Sequence, residues 1–276
     1  MSELAVRLLH ETPAIAIRDI LCSGTCRHKS AAECASATHL VFPYRGVFAR
    51  HVGRSEAIGE ANQLIFFNNG EEYSISHPAD GGDACLSLLV AEEVLRELAP
   101  VDQVVAGEQL RFRRQHRGID PNAQLLLAHL RHRLAKGIAE PLEVETIAFA
   151  LVARALGERS PNAREPRFGT KRIVDRAKRM LASEPARRWT STEIGREVGV
   201  SPVYLTQLFR QVEGVPLYRY HLRLRLARAL DLLDRYDDLT MLGLDLGFSS
   251  HSHFTAAFRQ AYGQTPRAFQ RSAGIR

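Results

Sequence analysis

The sequence predicts a two-domain α+β protein: a β-rich N-terminal part with helices at its C-terminal side, followed by an all-α part built on two helix-turn-helix units. Three observations carry that reading. Strand-like segments are confined to the first half, a charged stretch with prolines and glycines follows them, and a supersecondary pattern then repeats at an interval of 49 residues. The boundaries expected are 1–157 for the first domain, 158–169 for a linker and 170–276 for the second domain.

In the first half, Leu40 to Val52 and Gln63 to Phe67 are rich in β-branched and aromatic residues and broken by turn formers, as in a sheet of short strands. Asn68-Asn69-Gly70 reads as a hairpin turn. From about Asp120 the period changes. Leu125, Leu126, Leu130 and Leu134, then Ile147, Leu151 and Leu156, fall at helical spacing on either side of Pro141. These two helices close the first domain or pair with a second subunit. The stretch 158–169 carries two prolines without apolar periodicity, which marks it as a connector.

Charge separates at the same point. From Arg167 onward there are 19 Lys+Arg against 10 Asp+Glu, a net of +9, whereas the first 166 residues carry −3. A basic second domain suits a polyanionic partner, because phosphate neutralisation with counterion release supplies the sequence-independent part of affinity for a duplex. No run of eighteen apolar residues and no leader pattern is present, so a cytoplasmic protein with no membrane partner is expected. In that reducing compartment the four cysteines are thiols or metal ligands before they are disulfides.

The repeat itself is specific. Ser201, Leu205, Thr206, Phe209, Arg210, Gln211 and Gly214 align with Ser250, Phe254, Thr255, Phe258, Arg259, Gln260 and Gly263, and six of the seven pairs are identical. Upstream, Ile194-Gly195 and Val198-Gly199 mirror Leu242-Gly243 and Leu246-Gly247. Each copy describes a short helix ending at a glycine that can turn left-handed, then a serine that caps the next helix. Thr190 and Glu193 add a capping box before the first unit. Gly195 and Gly243 allow the two helices of each unit to cross closely. Between the units, Pro216 and the stripe Leu222, Leu226, Leu230 and Leu233 predict a long amphipathic helix with Arg219, Arg223 and Arg228 outside the stripe. Such a spacer sets the two second helices about one duplex turn apart, ~34 Å, as consecutive major grooves require.

Near the C-terminus, Gly247-Phe248-Ser249-Ser250-His251-Ser252-His253-Phe254-Thr255-Ala256-Ala257-Phe258-Arg259, followed by Gly263-Gln264-Thr265-Pro266-Arg267-Ala268-Phe269, resembles the signature of the AraC/XylS family. The likeness spans roughly residues 171–270. The family usually has alanine where this chain has Gly195 and Gly243, which weakens each helix by up to ~1 kcal/mol. What the resemblance implies is a transcription regulator that is not an enzyme, with a cupin-like N-terminal sensor, an effector to sense, RNA polymerase to recruit, and homodimerisation through the sensor side.

The residues facing outward from the second helices are then candidates for contact with double-stranded DNA. On the first they are Ser201, Pro202, Val203, Thr206, Gln207 and Arg210; on the second, Ser250, His251, Ser252, Thr255 and Arg259. Gln207 can pair bidentately with adenine, Thr206 can touch a thymine methyl, and Arg210 can reach guanine or phosphate. The second set is shorter and suits backbone positioning through Ser250 and the helix N-terminus. His251 and His253 do not suggest a metal pair, since residues two apart on a helix diverge.

In the sensor half, Cys22, Cys26 and Cys34 cluster near His28. Thiols so placed can bind a soft metal ion, oxidise reversibly, or do neither, and the spacing lacks the paired C-x-x-C form of a zinc site. No cofactor is required by the sequence; a soft metal ion or a small-molecule effector are the candidate ligands. His51 and His77 are scattered and read first as structural residues. Two rival functions fail on the residues. A cupin-like catalyst needs a metal cluster or a base and nucleophile that cannot be assembled here, and a module for an acidic protein partner does not need two cap-phased reading helices.

Overall fold

A computed structural model describes residues 4–24, 28–105, 107, 109–157 and 168–275. The strands of the first half are β1 (Leu4–Glu11), β2 (Ile15–Cys22), β3 (Glu33–Cys34), β4 (His39–Arg45), β5 (Phe48–Val52), β6 (Ser55–Gly59), β7 (Gln63–Phe67), β8 (Glu72–Ser76) and β9 (Asp83–Val90). Helix α1 (Glu92–Leu98) and the short strands β10 (Val104–Val105), β11 (Arg111–Phe112) and β12 (His116–Gly118) follow. One sheet runs in the order β1-β2-β9-β4-β7-β12 and a second in the order β3-β8-β5-β6.

The central strands β4, β7 and β9 of the six-stranded sheet are buried on both faces, which is why they read as nearly continuous hydrophobic runs. Leu40, Phe42, Leu64, Phe66, Leu86 and Leu88 point one way, into a core shared with helix α3 (Pro141–Leu156) and part of α2 (Pro121–Ala135). Val41, Ile65, Phe67 and Cys85 point the other way, onto Phe48 and Ala35 of the four-stranded side.

Asn68-Asn69-Gly70 departs from the expected hairpin. Gly70 does turn with φ 72°, but β7 and β8 belong to different sheets, so the chain crosses between layers there. The reason is visible at Asn68, whose buried side-chain amide donates to Phe112 O at 3.1 Å and accepts from Phe112 N at 2.7 Å, as a neighbouring strand would.

Both expected helices form. Asp120 caps α2 by accepting from Ala123 N at 2.9 Å, and proline stands at the first turn of α2 and of α3. Helix α3 closes the sheet through Val144, Ala148, Leu151 and Val152. Helix α2 instead becomes a wall between the halves. Leu127 and Leu130 belong to the first-half core, while Ala128 belongs to a core of the second half.

Residues 158–167 of the expected linker lie outside the described residues, and the second half begins with α4 (Phe168–Ser183). It continues through α5 (Ser191–Val198), α6 (Pro202–Glu213), α7 (Leu217–Leu232), α8 (Leu239–Asp245), α9 (His251–Tyr262) and α10 (Pro266–Ser272). Helix α7 is not amphipathic as predicted. It buries Tyr220, Leu224, Leu226, Ala229, Leu230 and Asp231 around its circumference, and Arg223 and Arg228 are half-buried. A helix packed on both helix-turn-helix units and also on β4 and α2 leaves only its first turn, at Tyr218 and Arg219, exposed.

The two halves meet through a buried polar chain. Tyr220 on α7 donates to Glu60, between β6 and β7, and Asn62 N donates to the other Glu60 oxygen at 2.8 Å. Gln63 Nε2 reaches Tyr220 Oη at 3.3 Å and Glu213 at 3.4 Å, and Lys178 Nζ on α4 lies 3.1 Å from Glu213. On the other side, Asn62 Nδ2 donates to Tyr220 O at 3.3 Å, Gln124 Nε2 to Asn62 Oδ1 at 2.9 Å, and Tyr262 Oη to Gln124 Oε1 at 3.3 Å. Burial raises the Glu60 carboxyl, offset in part by Lys178 and by the Tyr220 and Asn62 hydrogen bonds. Burial also raises Tyr220 well above its ordinary range, and Glu60 adds to the rise. Lys178, whose burial alone acts downward, is held above its ordinary value by Glu213, Asp175 and Glu60.

Candidate nucleic-acid interface

Helices α5 and α6 form the first unit and α8 and α9 the second. The capping box of α5 is complete: Thr190 N donates to Glu193 Oε2 at 2.8 Å and Glu193 N to Thr190 Oγ1 at 3.2 Å. The Thr190 hydrogen bonds hold the Glu193 carboxyl below its ordinary range. Gly199 and Gly247 turn left-handed, with φ 79° and 80°, where each leading helix ends. Ser201 then accepts from Tyr204 N at 3.2 Å, and Ser250 from His253 N at 3.1 Å, which fixes the first turn of α6 and of α9.

The close crossing of the paired helices is real. A Cβ on Gly243 would stand 3.0 Å from Phe254 Cβ, and one on Gly195 would stand 2.7 Å from Val200 O. Leu205, Leu208 and Phe209 fill the first core, and Phe254, Ala257 and Phe258 the second. That inward anchoring aims the opposite faces at solvent. Ser201, Val203, Thr206, Gln207 and Arg210 are exposed, as are Ser250, His251, Ser252 and Arg259; Pro202 and Thr255 are half-buried. His251 and His253 have separate partners, Thr255 Oγ1 at 3.3 Å and Ser249 Oγ at 3.0 Å, as their divergence on the helix requires.

The register between the units is set by α7 and an arginine clamp. Arg225 donates to Pro185 O at 3.0 Å, to Arg187 O at 3.0 Å and to Gly247 O at 3.4 Å, and Arg188 reaches the same Gly247 carbonyl at 3.1 Å. His221 Nε2 lies 2.9 Å from Pro185 O, and burial lowers its pKa to about 4, so it serves as a neutral donor. The loop before α5 and the turn before α9 are thereby tied to one helix. Between the units lies a cleft of about 800 Å³ that brings Thr206, Gln207 and Arg210 together with Tyr218, Arg225 and His253.

Tyr218 and Arg219 are not marked by the repeat, because they stand at the start of α7 rather than on a second helix. Tyr218 is 65% exposed, and Arg219 Nε donates to its hydroxyl at 3.1 Å. An exposed aromatic beside an arginine just after a helix-initiating proline is the signal that points to them. Trp189 is a third, stacked under Arg187 at 3.8 Å.

Cys22 ends β2, half-buried, Cys34 is exposed on β3 opposite Glu72, and Cys26 lies outside the described residues. The donors that do come together with Cys22 are His77 and Asp83.

A family model described as a helix-turn-helix domain matches residues 194–272. The HTH-type transcriptional regulator ArgR of Pseudomonas aeruginosa is 33% identical over 136 residues, 49% of this chain and 40% of that protein. The HTH-type transcriptional regulator GlxA of Rhizobium meliloti is 34% identical over 84 residues, 30% of this chain and 26% of that one. Among solved structures, a transcriptional regulator of the AraC-type DNA-binding domain-containing proteins from Chromobacterium violaceum is 31% identical, with 38% of this chain and 95% of that chain covered and a TM-score of 0.36. The matches to the two curated relatives span less than half of their length.

Proposed function

This chain belongs to the AraC/XylS family of transcription regulators, and from that premise we propose that it binds a specific duplex DNA sequence through α6 and α9 and controls promoters in response to an effector sensed by its N-terminal half. The observation that carries the reading is the pair of cap-phased helices with exposed outer faces, held on one clamped helix within a half of net charge +9. Gln207 and Arg210 read base edges from α6, with Thr206 against a thymine methyl. On α9 the small side chains Ser252 and Ala256 leave backbone positioning, through Ser250, His251, Thr255 and Arg259, as the main work. Tyr218 and Arg219 at the start of α7 add phosphate contacts.

The expected connector 158–169 is shortened at its end, because α4 already starts at Phe168; the proposed limits are 1–157 for the sensor half and 168–276 for the DNA-binding half. The protein acts by binding rather than by catalysis. The effector half restrains or presents the reading helices through the chain Glu60–Tyr220–Gln63–Glu213, since Glu213 is the last residue of α6, and through Gln124–Tyr262, since Tyr262 is the last residue of α9. RNA polymerase is the downstream partner and a homodimer the working assembly. Selection of bound sequences from random duplex DNA by the full chain tests the proposal. A recovered motif with two half-sites about one helical turn apart supports it; recovery of no enriched sequence, with binding insensitive to salt, refutes it.

A further inference from the structure

We propose that Cys22, His77 and Asp83 form a binding site for one borderline divalent transition-metal ion, and that its occupancy fixes the loop formed by residues 77–82. The sulfur, imidazole nitrogen and carboxylate oxygen of these residues all lie within 4.8 Å of one another. His77 and Asp83 are buried, and His77 Nε2 stands 2.9 Å from Asp83 Oδ2. Tetrahedral zinc, with bonds of roughly 2.0 Å to nitrogen and oxygen and about 2.3 Å to sulfur, needs its donors roughly 3.3–3.5 Å apart. The cluster therefore reaches coordination geometry by side-chain shifts of about an ångström, with the His77–Asp83 pair opening slightly as Cys22 draws in.

The backbone holds the three donors in place. Cys22 and Asp83 are direct cross-strand partners at the ends of β2 and β9, so their side chains share one face of the sheet. His77 and Asp83 bracket the loop that returns the chain from β8 to β9. Around them three glycines with positive φ interlock main chain against main chain. A Cβ on Gly82 would stand 2.2 Å from Cys22 O, one on Gly24 2.6 Å from Gly82 Cα, and one on Gly46 2.8 Å from Asp83 Cα. No side chain fits in that corner, and the strand ends are pinned at the separation the donors need.

One thiolate, one imidazole and one carboxylate select a borderline ion such as zinc over magnesium or calcium, which prefer all-oxygen sets. Binding releases the Cys22 thiol proton, because the thiolate is the ligand. Three protein donors leave a fourth position for water or an outside ligand. The loop also touches the second half. Ala79 packs against a core that β5 and β6 share with helices α4 to α7, and Pro78 and Ala79 line a cleft of about 450 Å³ with Arg176, Arg179 and Arg196. A metal bridging the loop's two ends to β2 stiffens the segment that abuts the first helix-turn-helix unit.

The site is read without DNA, so its test stands or falls apart from the proposed function. Full-length protein stripped with a chelator is titrated with zinc against a chromophoric competitor and with cobalt, whose bond to a thiolate gives a near-ultraviolet charge-transfer band. One ion per chain with that band is expected. The variants Cys22→Ser, His77→Gln and Asp83→Asn are each expected to weaken zinc binding by roughly a hundredfold or more, since even outer-shell partners are worth 10–100-fold; Cys34→Ser leaves it unchanged. Alkylation of the wild-type protein covers the case of a variant that misfolds. Zinc is expected to slow modification of Cys22 and not of Cys34, and to raise hydrogen-exchange protection across 77–83. Absence of stoichiometric zinc, an unaltered affinity in Cys22→Ser, or equal alkylation with and without zinc overturns the site; unchanged exchange in the loop overturns its stiffening.

Discussion

Lys178 is fully buried on α4 and faces three acidic side chains, Glu213, Asp175 and Glu60. Replacing it with methionine keeps the volume and removes the cation. The protein can then keep a carboxylate charged without a partner, which costs about 3–5 kcal/mol for a broken buried pair. Alternatively it can protonate one. For a glutamate of ordinary acidity, near 4.3, protonation at pH 7 costs about 4 kcal/mol at 1.36 kcal/mol per unit. Both routes give a loss of about 4 kcal/mol at neutral pH. They separate on acidification, because the protonation route costs only about 1 kcal/mol at pH 5. Urea unfolding of wild type and Lys178→Met, followed by far-ultraviolet circular dichroism at both values, measures the difference directly. Glu213→Gln added to Lys178→Met is expected to recover much of the loss. A deficit under about 1 kcal/mol at pH 7, or no recovery in the double variant, refutes the view that this lysine neutralises a buried acidic pocket.

Gln207→Ala and Arg210→Ala should each cost about 1–3 kcal/mol on the selected DNA site with relaxed preference at one position; equal loss on random duplex would instead assign them to the backbone. Arg225→Met removes the clamp on Pro185, Arg187 and Gly247 while every candidate reading residue of α6 and α9 is kept. It should leave the helical signal intact while protection of one half-site weakens in footprinting, and unchanged protection of both would deny the clamp its role. Burial lowers His132 and His221 to about 4. Each folded-state value is below the unfolded value near 6.5, so the stability they contribute is complete above that value and is lost as pH falls from about 6.5 toward 4. At pH 5 the loss is about 2 kcal/mol per residue. The double variant His132→Gln/His221→Gln should lose less than wild type between pH 7 and pH 5, and an identical slope would show that the two rings do not set the acid sensitivity.

The second half was largely legible because its determinants are local. A capping serine, a glycine that must turn left-handed and a two-sided helix are each fixed by neighbours within one turn, so the 49-residue repeat located α5, α6, α8 and α9 and the caps Ser201 and Ser250, though not Asp238, which caps α8. What failed was anything decided by distant partners. The Leu222–Leu226–Leu230 stripe is a correct helical period, but it does not reveal that α7 is also covered by β4 and α2. Asn68-Asn69-Gly70 is a correct turn, yet which strands it joins depends on Phe112, 44 residues away. Thiol clustering along the chain likewise pointed to Cys34, whereas sheet register places Asp83 opposite Cys22 and the β8–β9 loop supplies His77. No spacing rule connects residues 22, 77 and 83 before the sheet order is known.

The same contrast bears on how a signal can cross the molecule. Surface ion pairs such as Arg187 with Glu184 are partly exposed and screened, so they contribute little. Glu60, Gln63 and Tyr220 are buried and each hydrogen-bonds more than one residue, and the buried Lys178 ammonium is ion-paired with Glu213. Removing or rotating any one of them strands a polar group in a low-dielectric interior, at a cost of about 1–3 kcal/mol for a neutral group and more for a charge. Such a chain does not deform gradually; it is either paired or broken. Its two branches end on the final residues of α6 and α9, Glu213 through Gln63 and Tyr262 through Gln124 and Asn62, and Glu60 joins the branches by accepting from Tyr220 and from Asn62 N. A Glu60→Gln variant keeps one acceptor oxygen for Tyr220 but loses the charge facing Lys178 together with the oxygen that accepts from Asn62 N, so its stability reports both losses and its DNA affinity reports the coupling. Retained DNA affinity with lowered stability assigns the carboxylate to folding, and altered affinity on the selected site assigns it to the coupling between the halves.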